Sequence, residues 1–98
     1  MTKRLDKTEA RKRVVEIVSR HPSNIRFSRH ALEELKNDSL IVSDILNVIR
    51  SPAARIVGEG EYERGSFRYR LETNRIAVLI AFDSPVSFVV VTAWRKKS

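Results

Sequence analysis

An α+β fold, with N-terminal helices packed on one face of a four-stranded antiparallel sheet, is what this sequence predicts. Three observations point to it. Apolar residues recur at helical spacing in the first half of the chain, as in Ala10, Val14, Ile17 and Val18. The second half consists of short runs rich in Val, Ile, Phe and Tyr, separated by turn residues. One of these runs, Phe67 to Glu72, alternates between apolar and charged residues, the mark of a half-buried strand.

Each element follows from its own residues. Asp6 can cap the first helix while Glu9 reaches back as in a capping box, and Pro22 stops that helix because it lacks a backbone donor. Ser28 is the expected cap of a second helix with Ala31, Leu32 and Leu35 as its apolar stripe. Ser43 takes the same part for a third, carrying Ile45, Leu46, Val48 and Ile49 and ended by Ser51-Pro52. From Ala54 to Tyr62 the chain reads as an extended, rather polar strand whose two glycines suggest a bulge or an edge. Arg64-Gly65 supplies a turn, and Thr73-Asn74 a tight hairpin. Ile76 to Phe82 is apolar on both faces and predicts a central strand. Asp83-Ser84-Pro85 then turns the chain into a last strand, Val86 to Trp94.

Composition bounds the function. Ninety-eight residues predict one domain, 1–98, and 42% apolar with 32% charged residues describe a soluble globular chain. No cysteine is present, which excludes disulfides, and His21 and His30 alone are too few for a zinc site, so neither metal nor cofactor is expected. A small-molecule ligand is not expected either. No apolar run approaches the roughly 20 residues that span a bilayer. The charged N-terminus lacks a secretory segment, so a cytoplasmic protein without membrane contact is expected. The net charge of +7 favours a polyanionic partner. It is unevenly spread: residues 1–30 hold nine Lys/Arg against three Asp/Glu, and residues 31–98 hold ten against nine.

Period two places Arg68, Arg70 and Glu72 on one face of their strand and Phe67, Tyr69 and Leu71 on the other. Such a face is either a solvated surface with an arginine–carboxylate pair or a cradle for phosphate, whose oxygens match planar guanidinium donors. His30, early in the second helix and off its stripe, either pairs with Glu34 one turn on or acts as an acid or base. His21, at a helix end, fits the helix dipole and needs no other role. On the last strand Thr92 and Trp94 share a face, ahead of Arg95, Lys96 and Lys97. They read either as an ordinary strand end or, beside the arginines, as a phosphate donor and a base-stacking ring in a nucleic-acid-binding surface. Lys3, Arg4, Lys7, Arg11, Lys12 and Arg13 make the first helix basic, which suits a solvated face, non-specific attraction to nucleic acid or an anionic membrane surface, although its apolar stripe reads as core and not as membrane-facing. Arg55 and Arg64 are further cations that spacing does not place.

Phe27-Ser28-Arg29-His30-Ala31, Val42-Ser43-Asp44-Ile45, the arginine-bearing strand and Val90-Val91-Thr92-Ala93-Trp94 together resemble the RelE-like superfamily of ribonuclease toxins. The similarity covers most of residues 25–96 and is nearest the small BrnT-like and related domains that open with a His-Ala-x-x-Arg-Met signature. A looser likeness to the motility quorum-sensing regulator toxin lies in chain length, the basic first helix and Asn47-Val48-Ile49. Glu34 stands here where the signature has Arg, and Leu35 where it has Met. The resemblance implies a metal-independent endoribonuclease, the toxin of a toxin–antitoxin pair, with RNA as substrate and an antitoxin protein as partner. It implies His30 as acid or base, Arg68 and Arg70 as stabilisers of the charged phosphorane, and Thr92 as a phosphate donor. Arg64, Trp94, Arg95 and Lys96 would bind the rest of the nucleic acid. A non-catalytic binding or regulatory module of the same fold is the alternative, for which the charge reversal at Glu34 speaks.

Overall fold

Asp6 starts the first helix as its type and position require: its carboxylate accepts the Glu9 backbone N–H at 2.8 Å. The computed structural model describes residues 4–97, so Lys3 lies outside the described residues. Helix α1 (Lys7–Arg20) buries Ala10, Val14 and Ile17, and Pro22 opens a short 3-10 turn behind it. Strand β1 (Ile25–Phe27) follows. Ser28 then caps helix α2 (Arg29–Asn37) by accepting from the Ala31 N–H at 3.0 Å. This helix packs through Ala31 and Leu35 alone; Leu32, expected on the same stripe, is 42% exposed because the contact seam is one i, i+4 pair wide.

Helix α3 (Val42–Arg50) starts earlier than expected. Ser43 lies inside its first turn, and the cap is made in reverse: the Asp44 carboxylate accepts the Ile41 N–H at 2.9 Å, satisfying a donor the helix leaves unpaired. At its other end Arg11 of α1 donates to the Ile49 and Ser51 carbonyls at 3.1 and 2.7 Å. That bond joins two helices through the acceptors left over at a helix C-terminus, and burial lowers the Arg11 pKa.

The fold class is α+β, but the sheet has five strands and is mixed. Strand order is β1-β5-β4-β3-β2, with β2 Arg55–Glu63, β3 Ser66–Glu72, β4 Ile76–Ser84 and β5 Ser87–Arg95. The four long strands are antiparallel neighbours, while β1 adds to β5 in parallel. Three residues carry no readable alternation, which is why β1 escaped the sequence pattern. β4 is the central strand, as its two apolar faces require.

Two turns differ in detail from expectation. The β3–β4 connection holds three residues, with Thr73 Oγ1 accepting from the Arg75 and Ile76 N–H groups at 3.3 Å. β4 runs on through Asp83 and Ser84, leaving only Pro85 and Val86 to turn. At the β2–β3 turn Arg64 and Gly65 both take positive φ, 50° and 86°.

β2 carries a wide irregularity between Val57 and Glu61. Gly60 is required there, because a Cβ at that position would lie 2.6 Å from the Tyr69 ring. Tyr69 is buried and accepts the Leu5 N–H at 2.7 Å, tying the segment before α1 to the sheet. One core unites the helices with Tyr69, Leu71, Val78, Ile80, Phe82, Phe88, Val90 and Ala93 from one sheet face. Among the described residues no helix is long and apolar enough to cross a membrane.

Candidate functional site

The other sheet face carries the residues that the alternation of β3 turned away from the core. Register fixes them in rows: Arg26, Val89, Ala81, Arg68 and Glu61 form one, Thr92, Leu79, Arg70 and Val57 the next, and Trp94, Ala77, Glu72 and Arg55 the third. A β-bulge makes this possible. Ile80 pairs with Val90 but Leu79 with Thr92, so Val91 is an extra residue on β5. Before it, Phe88 and Val90 face the core; after it, Ala93 does, and Thr92 and Trp94 join the arginine face.

Ser28 fastens the bulge to α2. Its N–H donates to the Val90 carbonyl at 3.0 Å and its hydroxyl to the Val91 carbonyl at 2.8 Å. The same oxygen caps the helix on which His30 stands. His30 is therefore placed at the rim of the sheet face by the element that re-aims β5.

A cleft of about 810 Å³ opens there, lined by Ser28, His30, Glu63, Arg64, Ser66, Arg68, Asp83 and Val91 among others. It brings together His30, Arg64 and Arg68. His30 and Arg64 are exposed, while the Arg68 side chain is only 17% exposed. The Arg68 Nε is buried and has no hydrogen-bond partner among the described residues, and its Nη1 meets Glu63 only at 3.7 Å. A buried polar group left unmet costs about 1–3 kcal/mol, more if charged. At the cleft's far edge Arg26 pairs with Asp83, which also accepts from Ser87 at 2.5 Å.

Arg70 is held differently. Its Nε meets Glu72 at 2.5 Å, and its guanidinium lies 4.9 Å from the centre of the Trp94 ring. The other Glu72 oxygen accepts from Lys96 at 2.7 Å, and Lys96 also donates to the Thr73 carbonyl at 3.2 Å. Glu72 is 6% exposed, a buried carboxylate with two cations on it. The Lys96 hydrogen bond first, and then the Arg70 charge, lower its pKa against the opposing push of burial.

Thus Arg70, Trp94 and Lys96 form a clamp one row and more from the cleft. Thr92 is half-buried between the two and lines neither. Arg95 turns away to α2, its N–H donating to the Asp38 carboxylate at 2.7 Å. A smaller groove of about 270 Å³ joins Arg68, Arg70 and Trp94 along β2, but its outer wall is Glu59, Glu61 and Glu63.

Sequence reasoning passed over Ser28 as a site residue, giving it only a capping role, gave Asp83 only a turn, and passed over Arg26 altogether. The first could not be found without the bulge, nor the others without β1. Glu34, half-buried one turn beyond His30, does not line the cleft. Among the described residues no group of three or more His, Asp or Glu side chains could hold a metal ion. No family model, curated protein or solved structure matches the chain.

Proposed function

We propose that the cleft binds the RNA backbone and that the protein is a metal-independent endoribonuclease. The observation that carries this is Arg68, a nearly buried guanidinium whose Nε has no partner, in the same cleft as an exposed histidine. A phosphate oxygen entering the cleft would meet the accessible part of that guanidinium in a charge-assisted bond. Arg64, on the exposed turn, adds a second cation at the mouth.

Cleavage then proceeds within the RNA. The 2′-oxygen attacks the adjacent phosphorus as its proton passes to His30, and Arg68 holds the doubly charged phosphorane. The bond to the 5′-oxygen breaks, that oxygen takes a proton from water at the open mouth, and a 2′,3′-cyclic phosphate and a 5′-hydroxyl result. Arg70, Thr92 and Trp94 lie on the path that the next nucleotides would follow across the rows. The likeness of the His30 and Thr92 segments to RelE-like toxins supports the same reading, with an antitoxin protein covering the basic face.

A single experiment tests it. Purified protein incubated with single-stranded RNA in EDTA should give products ending in cyclic phosphate. His30→Ala should lower the rate about a hundredfold or more, with the melting temperature unchanged. No cleavage, together with RNA binding that survives His30→Ala, leaves the second reading, a non-catalytic nucleic-acid-binding module. That reading is favoured by the other titratable groups of the cleft, since Glu63 stands beside Arg68 and Asp83 is engaged by Arg26 and Ser87.

A further inference from the structure

On the far side of the molecule, α1 and the start of β2 enclose a second concavity, a groove of about 830 Å³. Its floor is apolar. Val15, 48% exposed, faces Ala54 and Ile56, whose side chains close the core beneath it. Its rim is basic. Lys7, Lys12 and Arg20 stand along α1, all exposed, and the one carboxylate lining the groove is Glu16. Among the described residues none of these three cations is in an ion pair, whereas Arg11, deeper in, is spent on the carbonyls that end α3.

We infer that this groove is a docking site for an acidic segment of a partner protein, which seats an aliphatic side chain on Val15, Ala54 and Ile56. Charge complementarity chooses the sign: the rim is positive, so carboxylates flanking the aliphatic residue would meet Lys7, Lys12 and Arg20. The floor chooses protein over RNA. It offers apolar area without an aromatic ring on which a base could stack, unlike the Trp94 end of the sheet.

The wall chooses an extended segment. β2 is the last strand in the sheet order, so among the described residues no strand lies beside its outer backbone edge, and such an edge accepts an added strand. The added strand is short. Gly58, at φ +72°, breaks the edge, and Glu59, Glu61 and Glu63 beyond it repel an acidic chain. This inference does not depend on the reading of the cleft.

The test uses the whole chain and random twelve-residue peptides displayed on phage. Panning should enrich sequences that combine Asp or Glu with Val, Ile or Leu. Synthetic copies should shift the NMR signals of Val15 and Ile56, not those of Arg68. Lys7→Glu/Lys12→Glu should weaken such peptides tenfold or more, and so should Val15→Ser. All three positions are exposed, and an unchanged melting curve shows that the fold is intact. Enriched peptides that are neutral or basic, or that bind the variants equally, would overturn the inference. So would single-stranded RNA shifting Val15 and Lys12, which would make the groove a nucleic-acid surface. Concentration-dependent dimerisation abolished by the same variants would overturn it too, in favour of a second copy of this chain.

Discussion

Arg68 and Arg70 stand two residues apart on one face of one strand, yet the two ends of that face are built in opposite ways. At the Arg70 end the arginine has been met: Glu72 is buried between Arg70 and Lys96, and Trp94 lies against the guanidinium. At the Arg68 end a cation has been withdrawn from water and left short of a partner, with the Glu63 carboxylate 3.7 Å off. The first arrangement is complete in itself. The second leaves a donor unmet. Residue type and parity are identical in the two cases, so the distinction lies in what the neighbouring strands bring opposite each arginine.

The comparison can be broken most sharply by exchanging the two arginines for methionine in turn. Arg68→Met should lower affinity for single-stranded RNA about tenfold to a hundredfold, the worth of a charge-assisted bond to phosphate. Its melting temperature should hold or rise, because a buried unmet donor has gone. Arg70→Met should do the reverse, destabilising the fold while changing RNA affinity far less. Fluorescence anisotropy and thermal melts read both; equal RNA losses in the two variants would show that the ends are not distinct.

A smaller effect is expected of Glu72→Gln. The folded carboxyl titrates below the ordinary glutamate value, so its stabilisation is present above that value and drains away as pH falls through the folded one. At neutral pH the variant should be less stable by about 1–2 kcal/mol. Its loss of stability on acidification should be shallower than that of the parent chain. Urea denaturation between neutral pH and about pH 3, which brackets the usual glutamate pKa near 4.3, decides; parallel pH curves would remove Glu72 from the account.

The smallest change sharpens the other end. Glu63→Gln removes the carboxylate nearest Arg68 and should tighten RNA binding by a few-fold, in keeping with the modest worth of a half-exposed ion pair. A titration at low salt is the measurement, and weaker binding would mean that Glu63 positions Arg68 instead of competing for it.

Much of this was legible in the residues. Asp6 and Ser28 cap the helices they were expected to cap, and Phe67 to Glu72 points its two faces as period two requires. The gathering of His30 with Arg68 is consistent with the readings of each alone. What could not be read came from partners distant in sequence. β1 is a strand only because β5 lies beside it, and Glu72 is held between two cations only because Lys96 returns to it from 24 residues away. Arg55, basic and unplaced in the sequence, starts the strand that walls the groove on the opposite side of the molecule.

Val91 has a consequence for how this chain can vary. On either side of it β5 is written in two different frames: every second residue up to Val90 belongs to the core, and from Thr92 onward the assignment is offset by one. Straightening that bulge without changing the chain would leave the strand as hydrophobic as before, and composition would register nothing. Yet Trp94 would be carried inward and Ala93 outward, and the two carbonyls that Ser28 grips would no longer stand in place. Side chains would be misread downstream of that point, as codons are after a frameshift, whereas deleting Val91 itself would close the bulge and keep both faces, at the cost of a carbonyl that Ser28 grips.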